Sequence, residues 1–515
     1  MNRSLDMKGW ILVVVTTLVL ACTSGPQEIP EDQRSAFGTY VYELDTLQME
    51  RQMQQLLTAD SSRLEASSAV RDRYAAIGDY RDAPLWFTRE GVSPEADSLL
   101  AFLRREVPAA GLDSVCFLLP QIAADLYVVH RLAFDSVGVS INELLPRLDY
   151  RLSCAYVSYA TGQRYGFIRP DELFNHLQKK ADADVFARLF DYDVKSPDYA
   201  EALRQLSSGS RMGYLYDSQP SDPVYKVLQR RLLAGGCSQD ERSRLRASME
   251  RCRWQILRPT VGERHVFVNI PAQQLWACAP DSALNMKICC GANATRTPLL
   301  ASSISYMQVN PEWVIPPSIV RGEVARHGGD SAYFARNRYF IVERTSGDTL
   351  SPASVTPARL SSGQLRVAQK GGAGNSLGRI VFRFPNDFAV YLHDTNNHGA
   401  FQRERRTLSH GCVRVEKPFE LACFLLPDAD EWLLDRICIS MDRKPMTARG
   451  LDYLAEHADD PRPLRLIDYQ KVSPSVPVYI AYYTAYPNPS TGIVEFHPDV
   501  YGYDQVILSA LSVGL

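Results

Sequence analysis

Past its first 22 residues the chain has no apolar stretch long enough to cross a bilayer. It has no C-x-x-C pair, which removes the usual zinc-knuckle and thioredoxin signatures. It also has no excess of positive charge: 56 Lys and Arg stand against 59 Asp and Glu, a formal net charge of −3. Without a basic field, nucleic acid is not an expected partner. No internal repeat and no low-complexity tract interrupts it. Cysteine is not laid out as a disulfide framework either. There are 11 in 515 residues, and without Cys22 and Cys412 an odd number remains, which cannot all pair within one chain. Most read as small apolar core residues.

What is present is the composition of a globular protein, 45% hydrophobic and 22% charged, at a length that predicts two to four folding units. The N-terminus is the exception. Arg3 and Lys8 precede an apolar run from Trp10 to Leu20, of signal-peptide length and short for a span. It ends in VLAC, and Cys22 after the small Ala21 is similar to the lipidated cysteine of a bacterial lipobox. A plain cleaved signal is the alternative. Either predicts export to the cell envelope or periplasm, and lipidation adds a membrane anchor. Residues 23–39, rich in Pro, Glu, Gln and Ser, then read as a tether.

From 40 to 255 the pattern is mainly helical. SPEADSLLAFLRREV offers Ser93 as N-cap and Pro94 in the first turn, with Ala96, Leu99, Leu100 and Leu103 at helical spacing. The texture changes near Gly262. RHVFVNIPAQQLWACA predicts a hairpin of half-buried strands, and LNMKICC, ISYMQVN, GRIVFRF and DFAVYLHD read as further strands. A charge-rich stretch at about 317–369 reads as a helical insert, and VYIAYYTAY and GIVEF read as late strands around a PNPSTG turn. The expected fold is α+β: an all-α N-terminal half, then a mainly β half at 260–515 carrying inserted helices.

The residues with chemistry cluster around LSHGCVRVEKP. If DFAVYLHD is a strand, Tyr391 and His393 share a face, and Cys412 follows His393 by 19 residues. A strand, a loop and a returning strand can bring imidazole and thiol together, the arrangement nucleophilic thiol catalysis requires. Gly411 permits a turn that points N–H groups inward, where they could hold an oxyanion. Arg414 shares a face with Cys412 and can bind a carboxylate with both nitrogens, while Arg403, Arg405 and Arg406 give the loop local positive charge. Bland readings stand beside this one: a zinc site from His393, His398, His410 and Cys412, a disulfide at Cys412, a buried structural thiol, or arginines on a solvated face. None accounts for the whole constellation.

HDTNNHGAFQRERRTLSHGCVR resembles the signature of YkuD-type L,D-transpeptidases, a His followed at a distance by Ser-His-Gly-Cys and then Arg or Asn. NSLGRIVFRFPN, MQVNPEWVIPPSI and RHVFVNIPAQQL are similar to the catalytic domain of the long periplasmic members. GLD at Gly111–Asp113, LDYRLSCAYVSYATGQRYGFIRP and ASMERCRW resemble their helical scaffold and its junction. The resemblance implies that Cys412 is the nucleophile and His393 the general base. Ser409, His410 and Gly411 would shape the site and its oxyanion hole, and Tyr391 and Arg414 would position substrate. The implied substrate is a peptidoglycan stem tetrapeptide, whose terminal D-alanine leaves as a thioester forms and is resolved into a 3→3 cross-link. The segment 317–369 would be a capping subdomain, carbapenems the expected inhibitors, and no cofactor or metal is needed. Long members often carry a small peptidoglycan-binding module, and here only Asp217 to Arg246 occupies its place. Asp394 alternates away from the imidazole and is not a triad member. Two other functions remain open: a thiol hydrolase acting as L,D-carboxypeptidase or releasing wall-attached protein, and a non-catalytic lipid-anchored wall-binding scaffold.

Overall fold

The computed structural model describes residues 44–60, 65–77, 80, 84–179, 186–260 and 262–513. The expected signal, Cys22 and the tether lie outside the described residues. Among the described residues no helix is long and apolar enough to cross a membrane.

The described residues divide into two compact units, the first made of those within 44–105, 117–158 and 200–213. Its helices start as their sequences dictate. Asp45 caps α1 (Thr46–Ala59) by accepting from the Leu47 and Gln48 N–H groups, and α1 buries Met49, Met53 and Leu57, one helical turn apart. Helix α2 (Glu65–Ala75) follows. In α3 (Pro94–Ala109) the stripe Ala96, Leu99, Leu100 and Leu103 is buried as its spacing predicts. Ser93 differs from expectation, because its hydroxyl is buried without a partner and makes no capping bond. The apolar core of this unit encloses one polar cluster. On α4 (Ile141–Tyr165), the fully buried Asp149 accepts from the Leu85 and Trp86 N–H groups at 2.9 Å and from the Tyr74 hydroxyl at 2.5 Å.

The second unit takes residues 106–116, 159–199 and 214–515. The expected boundary at 255–260 therefore does not coincide with the compact units, because helices α5 (Pro223–Leu233) and α6 (Gln239–Arg253) belong to the β-rich unit. The MERCRW stretch supplies the reason. Glu250 accepts from the Phe167 and Ile168 N–H groups and pairs with Arg253, and Arg253 donates to Gln163 and to the Ala110 carbonyl, all inside this unit.

The β core begins with the predicted hairpin, β1 (His265–Asn269) and β2 (Gln274–Ala279), paired antiparallel from His265↔Cys278 to Asn269↔Gln274. Then come β3 (Ser282–Gly291) and β4 (Leu299–Val309). Strand β1 is buried on both faces rather than half-buried, since Phe267 stacks on Tyr486 at 5.0 Å. The segment 313–369 forms its own small sheet: β5 (Trp313–Val314), β6 (Tyr339–Glu343), β7 (Thr349–Leu350) and β8 (Leu365–Gln369), in the order β7-β6-β8-β5, all antiparallel. The expectation of a helical insert is thus corrected. Helical turns occupy its first half, but Ile341, Leu365 and Val367 alternate inward from strands to join Val324, Phe334 and Leu360 in a separate apolar core.

The chain then returns to the main sheet through β9 (Ile380–Arg383), β10 (Leu392–His393), β11 (Thr407–Ser409), β12 (Val413–Val415) and β13 (Tyr469–Ala481). The sheet runs β9-β10-β12-β3-β2-β1-β13-β4, and β9 also pairs with β4, so the ladder closes on itself. The late VYIAYYTAY segment splits between the end of β13 and a hairpin of Ala485–Pro487 with Val494–Phe496. Taken together, a helical N-terminal region precedes a mainly β region, an α+β fold.

Candidate active site

Strands β10 and β12 run parallel, with Leu392 opposite Val413 and His393 opposite Arg414. A crossover of residues 394–412 joins them, and the Val413 N–H donates to the Tyr391 carbonyl at 3.1 Å. Cross-strand partners share a face. Tyr391 and His393 on one strand and Cys412 and Arg414 on the next therefore form one patch, with His393 diagonal to Cys412. Burial alternates accordingly on the Cys412 side, where Val413 and Val415 point into the core while Cys412 and Arg414 are half-buried; on the facing strand Leu392 and His393 are both buried. Only Leu392–His393 of DFAVYLHD is strand, because Asn386 ties the preceding turn. Its side chain accepts from the Phe388 and Val390 N–H groups and donates to the Phe384 and Val390 carbonyls. That turn holds Ala389 at φ 53°, and the Cys412 thiol donates to the Ala389 carbonyl at 3.7 Å.

The imidazole and thiol are both neutral in this arrangement. Burial pushes His393 down to about 3, helped by the Arg414 charge and opposed by main-chain groups of Asp394 and Leu377. Burial pushes the Cys412 thiol up, while hydrogen bonds from Tyr391 and the charges of Arg383 and Arg414 pull the other way. Tyr391 is raised by burial and by the Cys412 charge. Its ring meets the His393 ring edge-on at 5.7 Å.

The Ser-His-Gly-Cys turn is held by small polar bonds. Ser409 donates from Oγ to the Cys412 carbonyl at 2.5 Å and accepts from the Gly411 N–H at 3.1 Å. Thr295 and Thr297 donate to the Ser409 and Gly411 carbonyls at 2.9 and 2.8 Å. Gly411 has φ 119°, a conformation that a side chain disfavours. Its N–H is engaged by Ser409, whereas the Cys412 N–H has no acceptor among the described residues, and the main chain of Tyr391 also donates towards the thiol. His410 is exposed, and its Nε2 lies 2.6 Å from Oε1 of Glu323 in the insert.

The loop arginines divide. Arg403 and Arg405 are exposed, but Arg406 is buried and donates to the main-chain carbonyls of Ile288, Arg403 and Gln273, so it clamps the loop instead of charging it. Asp394 accepts from the Arg379 N–H and packs where a Cβ on Gly378 would fall 2.4 Å from its carboxyl carbon. It supports the turn before β9. Cys412 is a free thiol, as are the other nine described cysteines, and no cluster of three metal-ligating side chains occurs among the described residues.

Four contributors were not singled out from sequence: Arg383, Asn386, Ala389 and Glu323. Asn386 carried a signal, since Pro385 followed by Asn386 suits the two central positions of a turn. Arg383 has the same parity as Val381, which opposes His393, so it faces Tyr391. That inference needs the strand pairing first.

Residues 263–434 match the L,D-transpeptidase catalytic domain of the YkuD family, and residues 68–232 match a Scaffold domain. A Haemophilus influenzae protein described as "Putative L,D-transpeptidase" is 33% identical over 245 residues, 47% of this chain and 45% of its own length. The chain thus aligns with less than half of that relative.

Proposed function

From the match of residues 263–434 to the YkuD L,D-transpeptidase catalytic domain, behind a Scaffold domain at 68–232, we propose that this protein forms 3→3 cross-links in peptidoglycan through an acyl-enzyme on Cys412. The observation that carries the reading is the register of β10 and β12, which sets His393, Tyr391, Cys412 and Arg414 on one face.

The chemistry follows from the neutral pair. As Sγ of Cys412 attacks the carbonyl of the third stem residue, its proton passes to His393, which is unprotonated at neutral pH. The oxyanion forms beside the Cys412 N–H. The amide C–N bond then breaks, and D-alanine leaves with the proton returned by His393. The thioester retains the acyl energy until the side-chain amine of a neighbouring stem attacks. His393 takes that amine's proton, and the thiolate departs to recover it. Arg383 and Arg414 favour the thiolate at each stage where it appears. The same reading places the protein in the cell envelope or periplasm, anchored through a lipid on Cys22, and makes carbapenems acylating inhibitors of Cys412.

The test is the product of a purified disaccharide-tetrapeptide incubated with the protein and with Cys412→Ala. Cross-linked dimer and free D-alanine, both absent with Cys412→Ala, are expected. Tripeptide with D-alanine but no dimer would make the protein a hydrolase. Neither product, from a folded protein with a diamino-acid donor, would leave the scaffold role.

A further inference from the structure

The patch around Cys412 contains a second guanidinium. Arg383 ends β9, and the pairing Phe382↔Leu392 puts it opposite Tyr391, itself opposite Cys412. Two contacts fix its plane. Its Nε donates to Oε1 of Gln308 at 3.0 Å, and its guanidinium lies 4.2 Å from the centre of the Tyr391 ring. The Nη edge has no acceptor among the described residues, and neither Arg383 nor Arg414 has a carboxylate partner there. Other enclosed guanidiniums of the fold do have partners: Arg251 faces Asp504, Arg253 faces Glu250, Arg258 faces Asp222 and Arg379 faces Asp442, while Arg406 is held by main-chain carbonyls. Two half-buried arginines near the nucleophile with no carboxylate partner among the described residues, in a chain of net charge −3, form a prepared anion site. Both charges act on the same two groups, Cys412 and His393.

We propose that Arg383 is a specificity-determining residue that binds a second donor carboxylate, so that the protein selects a donor with free carboxylates on both sides of the scissile amide. Arg414, on the strand of the nucleophile, takes the carboxylate of the departing D-alanine. Arg383, two strands over and about 10 Å across the ladder from the nucleophile's strand, takes the side-chain carboxylate of the diamino acid. A donor amidated at that side chain offers Arg383 a neutral group and binds more weakly. The identity of the donor rests on the function proposed above; the anion preference of the site does not.

Two measurements on the purified full chain separate them. In the first, Cys412 is alkylated with iodoacetate and with iodoacetamide, electrophiles that differ mainly in charge. In both the thiolate displaces iodide to form a thioether, and the thiol proton passes to buffer. Rates are read from the Cys412 peptide by mass spectrometry. A change in thiol acidity affects both reagents alike, so their ratio isolates attraction for the carboxylate. At low salt the iodoacetate-to-iodoacetamide ratio is expected to be about five-fold higher in the wild type than in Arg383→Gln, with Arg383→Lys between, and the gap should narrow as salt rises. The same ratio in wild type and Arg383→Gln would overturn the proposal. In the second, disaccharide-tetrapeptides with a free or amidated side-chain carboxylate are compared as donors. The wild type should favour the free acid about ten-fold in kcat/KM, and in Arg383→Gln that free-acid-to-amide ratio should fall to about one, whatever the loss of the thiolate-favouring charge does to the rate with both donors. An intact alkylation preference with no acylation by either donor would overturn the donor assignment and the peptidoglycan reading, leaving an anion site for another acid.

Discussion

His393 is a base kept neutral by its own burial. With the imidazole near 3 and the thiol raised above its usual range, the free enzyme titrates in neither group between pH 5 and 8. The rate of Cys412 acylation should therefore show no inflection near pH 6.5, and an acid limb at that pH would contradict the burial of the imidazole. The same shift affects stability with a definite sign. The unfolded chain binds a proton at His393 near pH 6.5 and the folded chain does not until about 3. The contribution is present above 6.5 and lost as pH falls through that window. Relative to wild type, His393→Gln should gain stability between pH 6.5 and 3, by a few kcal/mol at most, in denaturant melts at successive pH values. At neutral pH it should acylate at least about 100-fold more slowly while remaining folded.

At the scale of elements, the turn from Ser409 to Cys412 and the insert above it do different work. Ser409→Ala removes the hydroxyl that bridges the Gly411 N–H and the Cys412 carbonyl. It should cost about 1–3 kcal/mol in thermal or denaturant melts and slow acylation further than that loss alone explains. The insert has its own apolar core and meets the site through His410 and Glu323, and through Trp313 beside the Tyr391 hydroxyl. Since the His410–Glu323 pair is half-exposed, Glu323→Gln should change donor KM by less than about five-fold, an effect that fades with salt. These elements were unevenly legible in sequence. The β1–β2 hairpin showed itself by alternating Val266, Val268 and Ile270 before a turn, a local pattern. The sheet in the insert did not, because its strands are short, separated by loops, and paired only once Trp313 and Gln369 meet. The patch was half legible. The parity of Tyr391 with His393 and of Cys412 with Arg414 is written in the chain, whereas the membership of Arg383 depends on β9 pairing with β10.

At the scale of the whole molecule, the helices before the sheet are not a detachable half. Residues 159–199 and 214–254 share a compact unit with the catalytic strands, and the buried Glu250–Arg253 pair lies among them. Sequence marked MERCRW as a junction but could not show that Glu250 holds the Phe167 and Ile168 backbone, 82 or more residues earlier. Glu250→Ala would leave Arg253 buried without its carboxylate. It should destabilise the β-rich unit by about 3–5 kcal/mol, seen as a lower melting temperature.

The central claim is that Cys412 carries the acyl group. The most direct measurement is the mass of the Cys412 peptide after the protein is mixed with a disaccharide-tetrapeptide and quenched in acid, with free D-alanine quantified in the same sample. The account predicts a thioester adduct of the donor less D-alanine on that peptide, with one D-alanine released per adduct, and neither in Cys412→Ala. Release of D-alanine that persists in Cys412→Ala, or an adduct on another cysteine, would contradict it.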